Sequence, residues 1–360
     1  MENLTSVKPL MIVHGGAWSI PKDLEQDHID GTRSAIANVY PALLKGEIDA
    51  EEAAVRAIKI LENDETFDAG KGSFLNLKGQ VEMDASIMNG TSLKSGAVCG
   101  IQGVRNPICV ARMVMNRTEH NLLVGENALE FAKSNLKTDE ERKELLIESV
   151  EELLTKRELE FLDRIRNNEE FTSRTVFEAK DTQPPPSKRG TVGVVVLDRN
   201  GNICAATSTG GTPKKVPGRS GDTGLIGSGT FADSSVAGAS STGWGESIMT
   251  IQMTGTLIRW LEFNNVPQRK ENTTATVYTH QSFQEKQEPL EQVNLATQRV
   301  IEYLQEKVNG LGGLIVLSKD GKYAVSHNTD KMSFAYVPAD SVDLVNNTFE
   351  VVSLVSEKKI

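Results

Sequence analysis

The first apolar run, Leu10-Met-Ile-Val13, stops at His14-Gly-Gly16, a pattern that predicts a buried strand ending in a glycine turn. Mixed positions over residues 23–44 predict a helix closed by Gly46. A second helix is expected from Asp49, where Asp49-x-x-Glu52 resembles a capping box and Ala53, Ala57, Ile58 and Leu61 recur at helical spacing. Beyond the turn-rich residues 67–72, strand-like runs fall at 80–88 and 95–101, and a helix is predicted near 126–134.

More than half of residues 139–170 are charged, with Leu145, Leu146, Val150, Leu153 and Leu154 forming one weak stripe, which reads as a solvated helix. A mobile linker is expected over about residues 157–190, because a stretch carrying Pro184-Pro-Pro186 and many charges buries too little apolar surface to order itself. At Thr191 the pattern changes. Two strand-like runs, 192–197 and 202–207, flank the turn residues Asp198-Arg-Asn-Gly201, and the same grammar returns at 313–317 and 323–326 around Lys319-Asp-Gly321. Two hairpins imply antiparallel sheet. With helices predicted at 246–262 and about 290–307, the order suggests an α+β fold, a four-layer αββα sandwich in one domain spanning residues 1–360.

Composition narrows the function. Lys and Arg number 39 against 49 Asp and Glu, and the net charge of -10 excludes a general binder of nucleic acid or anionic membrane, which needs a basic surface. A hydrophobic share of 38% supports a packed core. No run of about 18 apolar residues is present, and the first residues lack a secretory pattern, so a cytoplasmic protein is expected. Cys99, Cys109 and Cys204 are scattered, with no paired spacing and no nearby His; they read as small apolar residues rather than as a zinc site or disulfides.

Eleven of the 30 glycines lie in residues 201–245. Such density either exposes backbone N–H groups to an anion or marks a run of tight turns. Ser208-Thr-Gly-Gly211 and Ser241-Thr-Gly-Trp-Gly-Glu246 add hydroxyls to it. No Walker spacing and no dinucleotide fingerprint follow a strand, and none of the five histidines accompanies a nucleophile-elbow motif; His14 reads as a satisfied structural group. A hydroxyl nucleophile then needs another base. Cleavage between Gly190 and Thr191 would supply one, since the freed α-amine has a reference pKa of about 7.7 to 8.0. Taken alone, though, a Gly-Thr step entering a strand is usually only a strand start.

Eight motifs in order decide between these readings: His14-Gly-Gly-Ala17, Phe67-Asp-Ala-Gly-Lys-Gly72, Glu82-Met-Asp-Ala-Ser-Ile-Met88, Gly190-Thr-Val-Gly193, Thr207-Ser-Thr-Gly-Gly211, Gly218-Arg-Ser-Gly-Asp222, Ser241-Thr-Gly-Trp-Gly-Glu246 and Gly310-Leu-Gly-Gly-Leu-Ile-Val316. Together they resemble the plant-type asparaginase and isoaspartyl peptidase family of N-terminal nucleophile hydrolases, over most of the chain. The resemblance implies self-cleavage before Thr191, into an α subunit of residues 1–190 and a β subunit of residues 191–360. It implies that Thr191 then attacks asparagine or isoaspartyl dipeptides, supported by Thr209, with the Thr242 hydroxyl and the Gly243 N–H as the oxyanion hole. By the same resemblance Arg219 holds the substrate carboxylate, and Asp222 with the Gly245 carbonyl holds its ammonium. Carbonyls of Leu61, Glu62, Asp64, Phe67, Ala69 and Lys71 match a sodium loop. No catalytic cofactor is implied, and the working form is a homodimer of cleaved protomers.

The sequence departs from that family in four places. Asp68, counted with the substrate-binding residues, stands where an Asn is usual, a charge expected to disfavour an anionic substrate or slow cleavage. Trp18 and Trp244 are bulkier than the family pattern and point to an altered pocket. Residues 263–292 are longer and more polar, as a surface insertion would be. Without the resemblance, Arg219 and Asp222 would read as a surface ion pair. A glycosylasparaginase and a cleavage-dead binding protein are the alternatives.

Overall fold

A computed structural model describes residues 7–178, 190–268, 277–281 and 288–357. Strand β1 (Leu10–Trp18) leads into α1 (Glu25–Lys45) and α2 (Ala50–Glu62). Then come β2 (Met83–Asn89), β3 (Ser95–Ile101), α3 (Pro107–Arg117), β4 (Leu122–Val124) and α4 (Gly125–Asn135), followed by two short helices, α5 (Asp139–Leu145) and α6 (Lys156–Arg166). The second half runs β5 (Val192–Leu197), β6 (Ile203–Thr209), β7 (Thr230–Asp233), β8 (Ala237–Gly243), α7 (Gly245–Ile251), α8 (Met253–Glu262), β9 (Tyr278–Gln281), α9 (Glu288–Val308), β10 (Gly312–Ser318), β11 (Tyr323–His327), β12 (Lys331–Tyr336) and β13 (Val352–Glu357).

The strands form two sheets, ordered β13-β12-β1-β5-β6-β2-β3-β4 and β7-β8-β10-β11-β9. All neighbours are antiparallel except β3 and β4. Helices α1, α2 and α3 pack on the larger sheet, α8 and α9 pack on the smaller one, and the sheets touch where β1 meets β10 and β5 and β6 meet β8. This is a mixed α+β protein. Val192 to Leu197 is buried at every position, because β5 is covered by α2 and by β8.

Local signals account for several elements. Asp49 caps α2 by accepting the Glu52 N–H at 2.8 Å, but Glu52 turns its own carboxylate to Arg56 and Arg112, so only half of the expected capping box forms. Ala53, Ala57, Ile58 and Leu61 are fully buried; at roughly 1.5 to 3 kcal/mol for each large aliphatic side chain, that stripe holds α2 to the sheet. Helix α1 ends at Gly46, whose φ of 75° closes the last turn.

Other expectations need correction. Strand β1 does not stop at the glycines: its register against β12 shifts between His14 and Ala17, so Gly15 and Gly16 make a bulge and the strand continues to Trp18. The long helix expected at 246–262 is broken at Gln252, which adopts a left-handed conformation. The solvated helix expected over 139–170 is two separate helices. The mobile linker expected from about residue 157 is also revised, because residues 156–178 form α6 and a short turn whose Phe161, Ile165, Phe171, Val176 and Phe177 are buried with Trp18 and Trp244 in a third apolar cluster. The remaining linker residues, 179–189, lie outside the described residues. Of the insertion at 263–292, residues 278–281 add β9 to the edge of the smaller sheet, while 269–276 and 282–287 lie outside the described residues.

Candidate active site

Thr191 immediately precedes β5, and β6 pairs with β5 so that Val192 lies opposite Ser208, which brings Thr209 beside Thr191. The two hydroxyl oxygens are 2.9 Å apart. Thr209 accepts the Gly211 N–H at 2.9 Å and donates to Asp68 Oδ2 at 3.3 Å. Asp68 is buried, and its Oδ1 accepts the Phe74 N–H at 2.8 Å. Its backbone N–H donates to the Gly190 carbonyl at 3.1 Å. One residue thereby touches both the bond before Thr191 and the hydroxyl pair beside it.

Backbone crowding fixes that bond. A Cβ on Gly190 would lie 2.5 Å from the Gly16 Cα, and one on Gly16, whose φ is +105°, would lie 2.4 Å from the Gly190 Cα. Only glycine fits on either side.

Behind Thr191, His14 Nδ1–H donates to the Thr191 carbonyl at 3.1 Å, and its Nε2 accepts from Ser240 at 2.9 Å. Burial lowers the His14 pKa to about 3, so the ring is neutral, with its proton on Nδ1 where the carbonyl requires it. Ser240 continues a buried chain of hydroxyls across the sheet interface, to Thr207 at 2.7 Å, then Thr230 at 2.5 Å and Ser86 at 2.8 Å. His14 is therefore a satisfied structural group, and what it orders is the residue at 191.

The second wall comes from β8 and the loops around it. Thr242 is buried and accepts the Ala17 N–H at 3.3 Å, which leaves its own proton to donate. Gly243 follows with φ +137° and packs against Gly312. Arg219, Asp222 and Gly245 converge: a Cβ on Gly245 would sit 2.8 Å from Arg219 Nη2 and 2.9 Å from Asp222 Oδ1. Arg219 is nonetheless paired with Glu246 rather than Asp222, through Nε at 2.9 Å and Nη2 at 3.0 Å. Asp222 is buried and accepts the Ser241 hydroxyl at 3.0 Å; burial pushes its pKa up to about 6, against the opposing pull of Arg219.

Several side chains that position this wall or lie behind it carried no role in the sequence reading. Glu82 accepts the Gly218 N–H at 3.0 Å, and Asp84 accepts the Ser220 hydroxyl at 2.8 Å and the Gly221 N–H at 2.9 Å, so two carboxylates hold the loop that presents Arg219. Their spacing at i and i+2, on one face of a strand, was the available signal. Lys215 is buried and donates to the carbonyls of Glu82 and Gly210 at 2.5 Å each. Burial lowers its pKa. Glu62 lies behind β6, accepting the Ser208 hydroxyl at 2.7 Å and the Ile108 N–H at 3.1 Å, with its pKa pushed up to about 8 by burial.

Trp18 and Trp244 spend their bulk on the third apolar cluster, and the Arg174 guanidinium lies 5.0 Å above the Trp244 ring. Cys99 and Cys204 are buried and Cys109 partly so, all unpaired. Among the described residues no group of three or more His, Cys, Asp or Glu is placed to hold a metal ion, and no helix is long and apolar enough to cross a membrane.

A site of threonines in contact, one of them preceded by a tightly packed glycine, with an Arg and an Asp nearby, is the equipment of an amide hydrolase. A family model described as asparaginase matches residues 7–287. The chain is 34% identical over 327 residues to the isoaspartyl peptidase/L-asparaginase of Danio rerio, covering 91% of each chain. It is 36% identical over 332 residues to the Bos taurus protein of that name and 35% identical over 334 residues to the Homo sapiens one, in both cases covering 91% of this chain and 93% of the relative. The chain belongs to the asparaginase family and is a hydrolase.

Proposed function

We propose that the chain cleaves itself between Gly190 and Thr191 and that the product is an isoaspartyl peptidase with L-asparaginase activity. The observation that carries this reading is the 2.9 Å contact between the Thr191 and Thr209 hydroxyls, beside a Gly190 carbonyl held by the Asp68 N–H. Cleavage gives an α subunit, residues 1–190, and a β subunit, residues 191–360, within one domain whose sheet and helix contacts agree with a four-layer αββα sandwich.

In the cleaved enzyme the Thr191 amine accepts the proton of its own hydroxyl as the oxygen attacks the substrate's side-chain carbonyl. Ammonia or an amino acid leaves, and water clears the acyl group. The Thr242 hydroxyl and the Gly243 N–H face the developing oxyanion; a donor of this kind contributes about 3 kcal/mol. Arg219 draws the substrate carboxylate, with Glu246 holding the guanidinium in orientation, and Asp222 with the Gly245 carbonyl draws the ammonium.

The sodium loop belongs to the same proposal. The Leu61 and Glu62 carbonyls accept the N–H groups of Asp64 at 3.3 Å and Lys71 at 2.8 Å, which curls the backbone of the loop. With the Asp64, Phe67, Ala69 and Lys71 carbonyls they would suit a monovalent cation, whose role is to stiffen the loop carrying Asp68. As the resemblance implies, the enzyme works as a homodimer of cleaved protomers.

Intact-mass measurement tests the reading. The purified protein should give a fragment beginning at Thr191 and should release ammonia from asparagine and aspartate from isoaspartyl dipeptides. Thr191→Ala should stay at 39.3 kDa and be inactive; cleavage of that variant at the same bond would refute the assignment.

A further inference from the structure

Before cleavage the Thr191 nitrogen is an amide and cannot act as a base, so the first attack on Gly190 needs another proton acceptor. We propose that Asp68 is that acceptor, working through Thr209, and that it is a catalytic residue of the cleavage step. This rests on the self-cleavage reading above and adds the group that starts it.

Hydrogen-bond polarity makes the case. A carboxylate only accepts, so Thr209 must donate its hydroxyl proton to Asp68 Oδ2. One Thr209 lone pair takes the Gly211 N–H, and the other is left for the Thr191 hydroxyl at 2.9 Å. Thr191 therefore points its proton away from the Gly190 carbon and keeps its lone pairs for attack. The Phe74 N–H fixes Oδ1, which prevents the carboxyl from turning. Meanwhile the Asp68 N–H sits on the Gly190 carbonyl oxygen, where negative charge develops.

The family's usual amide would run this chain backwards. With Asn Oδ1 on the Phe74 N–H, its NH2 group faces Thr209, both Thr209 lone pairs fill with donors, and the Thr209 proton is driven onto the Thr191 oxygen. In the Asp68 chain the step balances as follows. The Thr191 Oγ–Gly190 C bond forms as the proton passes through Thr209 to Asp68. The C–N bond breaks, and the proton ends on the Thr191 nitrogen. The carboxylate is regenerated beside an ester, which water then hydrolyses.

The test follows freshly translated full-length precursor by denaturing gel, with and without hydroxylamine, which intercepts the ester but cannot hasten its formation. Asp68→Asn should slow cleavage at least tenfold, and hydroxylamine should not restore it. Thr209→Val should be as slow as Asp68→Asn, and Thr209→Ser, which keeps the hydroxyl, should stay within about threefold of the wild type. The idea is overturned by an Asp68→Asn or Thr209→Val precursor that cleaves at the wild-type rate, or by recovery of Asp68→Asn with hydroxylamine, which would move its role to ester hydrolysis. Should Asp68→Asn fail to fold, as judged by its denaturation midpoint, the Thr209 pair decides. A wild-type precursor that never splits at residue 191 instead refutes the function proposed for the site.

Discussion

The two walls of the site are built from different materials. Around Thr191 the groups are hydroxyls, backbone amides, a neutral imidazole and glycines packed Cα against Cα, together with the Asp68 carboxylate. Around Arg219 they are charges, with Glu82, Asp84, Asp222, Lys215 and Glu246 gathered about the loop that carries it from a strand, a helix and the loop itself. The first wall holds position by exclusion, since nothing larger fits. The second holds by attraction and can be titrated. Chemistry that needs a fixed oxygen and recognition that needs a charge thus answer to different perturbations.

Breaking the first wall should have the larger effect. A Cβ at Gly193 would lie 2.0 Å from the Ser240 oxygen and 2.2 Å from His14 Nε2, so Gly193→Ala must part that hydrogen bond. Overpacking together with a stranded buried imidazole should cost about 3 kcal/mol or more, read as a lower denaturation midpoint with a matching fall in the cleaved fraction. Breaking the second wall should spare folding. Arg219→Lys keeps the charge but loses the two-pronged pairing with Glu246, and kcat/KM for asparagine should drop roughly thirtyfold, an effect of about 2 kcal/mol, with cleavage intact.

The mildest probe is pH. Asp222 is ionised above about 6 and neutral below, and only the ionised form attracts an ammonium, so kcat/KM for asparagine should rise with pH through that value and lose about tenfold per unit beneath it. An amide substrate lacking the α-ammonium should lose this step while keeping any rise due to the Thr191 amine. If both substrates show the same profile, the recognition wall does not titrate as described.

The β5–β6 hairpin was legible because two apolar runs enclose Asp198, whose carboxylate accepts the Asn200 and Asn202 N–H groups and makes the turn locally determined. What was not legible depends on distant partners. Phe161, Ile165, Phe171, Val176 and Phe177 sit among charges in a sequence that reads as solvated, and the surface they cover includes Trp18 and Trp244 from distant parts of the chain. The same two tryptophans read as an altered pocket because nothing nearby in sequence shows what they pack on. Asp68 was visible as an unusual residue, expected to disfavour an anionic substrate or slow cleavage; its hydrogen bonds with the Phe74 N–H and the Thr209 hydroxyl were not legible, because no local pattern announces them. Strand β12 escaped because it pairs with β1 at the far end of the chain, and β7, which pairs with the adjacent β8, because its four residues are too short to show a pattern.

The hydroxyl chain from His14 through Ser240, Thr207 and Thr230 to Ser86 stitches strands of both sheets together directly behind residue 191. A half-assembled chain would lack this seam and, on the proposed reading, the oriented threonine with which it would cut itself. Maturation would then act as an internal inspection: the proportion of split molecules in a preparation would count those in which the two sheets had met in register.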